Sequence, residues 1–197
     1  GQHHRMAIDM AGQSMVLLKN DGVLPLESGK KRILLAGFAA HSRRMLNGAW
    51  TFEWLGAEEE RQPKRMATLY DALKGEYGQN HIVYMDSSAL SGYAGKSRFL
   101  KEAGTCDAII LTIGEEPYSE FKGNITNLSL PPGQLELVRW AVSTGKPVIV
   151  LLIEGRPRLI QPFADQVDAI IFAGLPGSGG ANALAGIISG RVNPSGK

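Results

Sequence analysis

The sequence predicts an α/β domain, a mostly parallel sheet of five or six strands with helices on both faces in a three-layer α/β/α sandwich. Short apolar runs at residues 32–37, 81–85, 107–113, 147–153 and 168–174 alternate with stretches whose apolar residues recur at helical spacing. One phrase also returns. Cys106-Asp107-Ala108-Ile109-Ile110 is echoed by Val167-Asp168-Ala169-Ile170-Ile171, an acidic strand start followed by a buried run.

In chain order, Ile8, Ala11, Met15 and Leu18 trace an amphipathic helix that Lys19-Asn20-Asp21-Gly22 ends. Val23-Leu24-Pro25-Leu26 reads as an extended tether, because Pro25 has no N–H for a ladder. RILLAG, residues 32–37, is the first buried strand, and residues 38–64 form an unusually long connection. Met66, Leu69, Tyr70 and Leu73 resume the helical stripe, residues 81–85 are a short strand, and residues 96–103 a weaker helix. After the strand at 107–113 comes a polar loop, LTIGEEPYSEFKGNITNLSLPP, and Pro131-Pro132 then opens a helix striped by Leu135 and Val138. PVIVLLI, residues 147–153, is apolar throughout, as a strand covered on both faces requires. A short irregular segment, the strand at 168–174, the turn LPGSGG and a helix over residues 181–189 complete the chain. Right-handed crossovers gather the loops after residues 37, 85, 113, 153 and 174 on one edge of the sheet.

Composition narrows the function. At 197 residues the chain is one domain's worth, long enough to bury roughly 70% of its extended surface. The formal charge is +2, and Gly29-Lys30-Lys31-Arg32 reads as a solvated strand start, so no nucleic-acid partner is expected. A single cysteine, Cys106, excludes an internal disulfide framework and reads as a buried structural thiol. No stretch has the apolar length of a membrane span.

Several motifs fail on spacing. Gly177-Ser178-Gly179-Gly180 lacks the dinucleotide-binding pattern, and Gly95-Lys96-Ser97 would need a glycine where Leu90 stands. The histidines pair at no metal-ligand spacing, so neither a metal nor a cofactor is assigned. Asn124-Ile125-Thr126 and Asn127-Leu128-Ser129 fit the glycosylation pattern, which is common by chance.

Two loops keep chemistry. Trp50, Phe52 and Trp54 either pack the first loop on the core or form an aromatic clamp for a sugar ring, with Asn47, Arg43 and Glu53 near enough in sequence to serve its hydroxyls. In the second loop Glu120 stands between aromatics, Tyr118 and Phe121, that would desolvate its carboxyl group and suit it to act as an acid; Lys122 opposes that effect. A sugar platform with a proton donor suggests glycosidic cleavage, which needs a second carboxylate. Glu53 and Glu115 are both candidates, and the residues do not choose between them.

SMVLLKNDGVLPL, NGAWTFEWLG, TIGEEPYSEFKGNITNLSLPPGQ, EGRPRLI, LPGSGG and NPSGK follow one another in an order that resembles the second domain of glycoside hydrolase family 3, nearest in flavour to β-glucosidases and β-glucan exohydrolases. The resemblance implies a retaining, exo-acting β-glycosidase without a cofactor, whose partners are β-linked glucosides or short β-glucans and a (β/α)8 barrel of the same parent chain. It makes residues 1–26 the linker helix and tether from that barrel, and residues 27–197 the sandwich domain. Glu120 matches the family's acid/base, and Trp50 and Trp54 the walls of the next sugar's subsite. Glu115, Tyr118, Lys122, Asn124 and Arg156 are then loop support. The chain departs from the family pattern at Gly37-Phe38-Ala39, Gly48-Ala49 and Asn124. Without the barrel's nucleophile this chain alone is expected to be inactive, a domain excised from a larger, periplasmic or secreted enzyme or a proteolytic remnant of one; the alternative is a non-catalytic carbohydrate-binding or sensing domain that uses the aromatic pair alone.

Overall fold

The computed structural model describes residues 1–27, 29 and 31–196; Lys30 of the basic run and Lys197 of the C-terminal motif lie outside the described residues. Six strands form one sheet: β1 (Val16–Asn20), β2 (Ile33–Gly37), β3 (Ile82–Met85), β4 (Ala108–Gly114), β5 (Val148–Ile153) and β6 (Ala169–Gly174). Their order is β1-β6-β5-β4-β2-β3, parallel throughout except for β1, which runs antiparallel to β6. The helices are α1 (Gln2–Ser14), α2 (Arg44–Asn47), α3 (Leu69–Tyr77), α4 (Gly92–Ala103), α5 (Pro132–Val142) and α6 (Gly180–Ile188).

Side-chain alternation along the strands sorts two cores. Ile33, Leu35, Ile110, Ile149, Leu151 and Ile171 pack with Ala11 of α1, Leu73 of α3 and Leu184 of α6. Leu34, Ala36, Ile109, Leu111, Val150 and Leu152 pack on the other face with Phe99 of α4 and Val138 and Trp140 of α5. Every residue of β2, β4 and β5 is buried, the reason these strands read as unbroken apolar runs. Cys106 is a free, buried thiol, and burial pushes its pKa up.

One sequence expectation is corrected. The first helix ends at Ser14, and Met15 turns to an extended conformation (φ −77°, ψ 139°). The residues after it, including Leu18, become β1 and pair with β6. The spacing of Met15 and Leu18 fits either structure locally. An otherwise open edge of β6 supplies ladder partners that a further helical turn would leave unused. Met15 is fully buried, while Leu18 is half exposed on the edge strand.

The path of the chain fixes where a ligand can sit. From β2 it moves outward to β3, then crosses back to β4 on the other side of β2. The loops after β2 and β4 therefore diverge at a topological switch point, where open α/β sheets leave a crevice beyond the carboxyl ends of their strands. Gly37 makes the first divergence possible: at φ 110° a Cβ there would lie 2.0 Å from the Thr112 carbonyl oxygen. The Thr112 hydroxyl accepts the N–H of Ala39 at 3.1 Å, aiming the outgoing chain.

Candidate active site at the carboxyl edge of the sheet

The connection after β2 folds around Glu59. Its carboxylate accepts the Ser42 hydroxyl at 2.8 Å, the N–H groups of Arg43 at 2.8 Å and Arg44 at 3.0 Å, and Arg43 Nη1 at 3.0 Å. Burial pushes that carboxyl up, and these donors outweigh it, so its pKa lies below the ordinary value. Arg43 Nε also reaches the Met66 carbonyl at 2.7 Å and Nη2 approaches Asp71 at 3.8 Å. Asp71 in turn makes a reciprocal cap with Thr68 at the start of α3. Further out, Asn47 Nδ2 donates to the Arg43 carbonyl at 2.7 Å, Trp50 N–H to the Trp54 carbonyl at 3.2 Å, and Arg61 pairs with Glu53.

The consequence is a rigid rim that displays aromatics. Trp50 and Phe52 are each 67% exposed and Trp54 is 37% exposed. The expectation that these rings pack the loop on the core is therefore not met. Asn47, Arg43 and Glu53, expected to serve sugar hydroxyls, are already engaged inside their own loop.

The loop after β4 is held differently. Arg158, 10% exposed, donates through Nη2 to Glu115 at the start of the loop and through Nη1 to the carbonyls of Asn127 (3.1 Å) and Ser129 (3.2 Å) at its end. Arg156 Nε donates to the other oxygen of Glu115 at 3.0 Å, and its guanidinium carbon lies 3.8 Å from the centre of the Tyr118 ring. Tyr118 is pressed so closely on Gly123 that a Cβ there would fall 2.1 Å from the ring. Beneath this layer Glu154 is 1% exposed and accepts the Arg158 N–H at 3.1 Å. Burial raises its pKa to about 7; the Arg158 N–H and charge oppose the rise, and the nearby Glu115 adds to it.

On this frame Glu120 opens a short 3₁₀ turn, residues 120–123, and is exposed. The flanking aromatics do not enclose it: Tyr118 is turned to Arg156, and Phe121 is 63% exposed. Lys122 Nζ lies 5.7 Å from the centre of the Phe121 ring, while Asn124 is exposed and donates its N–H to the Phe121 carbonyl at 3.1 Å.

Two contacts join the loops among the described residues. Arg44 Nη1 lies 3.3 Å from Glu116, and the Trp54 and Phe121 rings are 5.8 Å apart, tilted by 52°. Among the described residues, the non-glycine positions with positive φ are Trp50 (60°), Phe52 (68°) and Glu120 (47°). Each such conformation costs roughly 1–3 kcal/mol and persists only where the surroundings impose it. Behind the rims, between the ends of β2 and β4, a cavity of about 240 Å³ is lined by Phe38, Thr112, Gln134 and Leu137 among others.

Sequence reasoning named Arg156 and missed Arg158, Glu154 and Glu59. A signal for Arg158 was present: two arginines flank Pro157 directly after a wholly buried strand, where charges need partners. Among the described residues no group of three or more His, Cys, Asp or Glu side chains is placed to hold a metal ion, and no helix is long and apolar enough to cross a membrane.

The fold and this edge define an α/β sandwich that presents an acidic and an aromatic loop at its switch point. Comparison with known proteins gives that class its family. Residues 15–197 match the glycosyl hydrolase family 3 C-terminal domain, and the chain belongs to that family. It is 32% identical over 205 residues to a lysosomal beta glucosidase of Dictyostelium discoideum, covering all of this chain and 25% of that protein. It is 33% identical over 202 residues to a beta-xylosidase of Formosa agariphila, covering all of this chain and 28% of that one. Among solved structures, a beta-glucosidase of Listeria innocua in complex with isofagomine superposes with a TM-score of 0.84 at 26% identity, over 97% of this chain and 26% of that one. An exo-1,3/1,4-beta-glucanase of Pseudoalteromonas gives 0.81 at 26% identity, over 95% of this chain and 29% of that one. The chain thus spans about a quarter of the length of these relatives.

Proposed function

We propose that this domain is the acid/base half of a retaining, exo-acting β-glycosidase acting on β-linked glucosides or short β-glucans, and that a (β/α)8 barrel in the same parent chain carries the nucleophile. Glu120 protonates the departing glycosidic oxygen while a barrel carboxylate attacks the anomeric carbon; it then takes a proton from the water that releases the sugar. Trp50 and Trp54 wall the subsite of the next residue. The observation that carries this reading is the coincidence of strain with chemistry. Among the described residues, the non-glycine ones held at positive φ are the candidate acid and two exposed aromatics, on loops that meet at the switch point.

Glu115 is the loop's anchor and not the second carboxylate of the reaction, since both its oxygens are engaged by arginines. In the full-length protein, Glu120→Gln is expected to lower turnover of β-glucosides with poor leaving groups by roughly 10²- to 10⁴-fold. Added azide should partly restore cleavage of activated ones. Unchanged turnover would sink the assignment.

The exposed rims also suit a domain that only binds carbohydrate. Titration of the isolated chain with glucose and short β-glucans separates the two: saturable binding to the chain alone supports the binding module, and its absence supports half a cleft. The compartment we infer is periplasmic or secreted, which fractionation of the source cells tests.

A further inference from the structure

We propose that Glu154 is a positioning residue for the reaction: whether its buried carboxyl carries a proton decides, through Arg158, how firmly the β4 loop holds Glu120. The inference rests on the reading of Glu120 as the acid/base and adds to it a group that regulates the same site.

Glu154 directly follows β5 and is fixed from both neighbouring strands. Its N–H donates to the Gly174 carbonyl of β6 at 3.0 Å, and the Glu115 N–H donates to the adjacent Ile153 carbonyl at 3.0 Å. Oε1 accepts the Arg158 N–H at 3.1 Å, while Oε2 is buried without a hydrogen-bond partner among the described residues. Arg158 Nε is buried and unpartnered in the same way. The charged groups that bear on Glu154 are Arg158, of its own connection, and Glu115, of the β4 loop. Arg156 pairs with Glu115 and faces the Tyr118 ring, and β6 ends in Gly174-Leu175-Pro176, which bring no charge.

One cation therefore stands between two carboxylates. While Glu154 is protonated, Arg158 is left to Glu115 and to the carbonyls of Asn127 and Ser129, and clamps the loop at both ends. Once Glu154 ionises, a second buried negative charge competes for the same guanidinium and repels Glu115. The clamp slackens under the loop that carries Glu120, whose φ of 47° persists only where the surroundings impose it. Burial raises the Glu154 pKa to about 7, against the Arg158 N–H and charge and with the help of Glu115, so the change of state falls near neutral pH.

The test compares pH profiles of kcat/KM for cellobiose and for dinitrophenyl β-glucoside in the full-length protein, with Glu154, with Glu154→Gln and with Glu154→Met. Both variants lack the ionisation, and Met covers the case in which the Gln amide disturbs the layer. Cellobiose needs a proton on its leaving group. Its variant-to-parent ratio is expected to rise about fivefold from about pH 5.5 to about pH 8, well inside the roughly 10²-fold that a 1 Å misplacement costs. Dinitrophenolate departs without a proton, so that ratio should stay within about twofold over the same range. A cellobiose ratio that is flat with pH, or an equal rise for both substrates, overturns the proposal. Ionisation of Glu120 itself acts on parent and variant alike and cancels in the ratio, so this failure is distinct from failure of the acid/base assignment, which Glu120→Gln addresses.

Discussion

The two loops that flank the switch point solve one problem by different means. The β2 loop is held from within: Glu59 gathers the N–H groups and side chains of neighbours Ser42, Arg43 and Arg44, and the rim closes on itself through Asn47, Glu53 and Arg61. The β4 loop is held from outside, by arginines of the next connection that clamp its beginning and its end and rest on a buried glutamate. Both present a residue at positive φ to solvent, and they are linked to each other through Arg44–Glu116 and Trp54–Phe121. The aromatic platform and the candidate acid are therefore supported independently, so damage to one support should leave the other's contribution readable.

The severest way to break that separation is Arg158→Ala. It leaves the carbonyls of Asn127 and Ser129 without their shared donor and Glu115 with Arg156 alone. Loss of one partner of a largely buried ion pair costs roughly 3–5 kcal/mol, which denaturant unfolding of the isolated domain will read. In the full-length protein kcat should fall more than the affinity for aromatic ligands of the β2 rim. Equal losses in both would show that the supports are not independent.

Glu154→Gln sharpens the same point through pH. Burial raises the folded pKa of Glu154 to about 7 from an ordinary carboxylate value, so between those values the folded state binds more protons than the unfolded one. Its contribution therefore falls as pH rises through that window, by on the order of 3 kcal/mol for a shift from 4.5 to about 7. Gln keeps the acceptor for the Arg158 N–H and removes the titration. Relative to the parent domain, the variant should gain stability from pH 5 to pH 8, measured by thermal unfolding; a difference constant with pH would contradict the assignment. Glu59 and Asp71 have lowered values and lose their contribution as pH falls, so the variant also exposes that acid limb more cleanly.

The smallest effect is expected at the bridge between the loops. Glu116→Ala removes an exposed pair with Arg44, worth less than about 1 kcal/mol and weaker in salt. A larger loss would mean that the bridge, and not the separate supports, sets the loop positions.

Much of this architecture was legible in the sequence. β2, β4 and β5 are apolar without interruption because every residue of each is buried, and β6 repeats the phrase of β4. β1 was not legible, since it is an edge strand whose one partner, β6, lies more than a hundred residues away, and its apolar spacing also suits a helix. In the site, Glu120 and the tryptophans stood out because exposed aromatics and a carboxylate are conspicuous in a polar loop. Arg158 did not, because its meaning lies in partners 29 to 43 residues distant. For Asn47, Arg43 and Glu53, proximity in sequence to the tryptophans suggested a ligand role but could not show that each also makes hydrogen bonds or ion pairs that hold the connection after β2.

The most direct test of the central claim is the dependence of kcat/KM on leaving-group pKa for a series of aryl β-glucosides, measured on the full-length protein with Glu120 and with Glu120→Gln. If Glu120 supplies the proton, the parent enzyme should show a shallow dependence and the variant a steep one, the two converging for the best leaving groups. The same slope in both proteins would contradict the account.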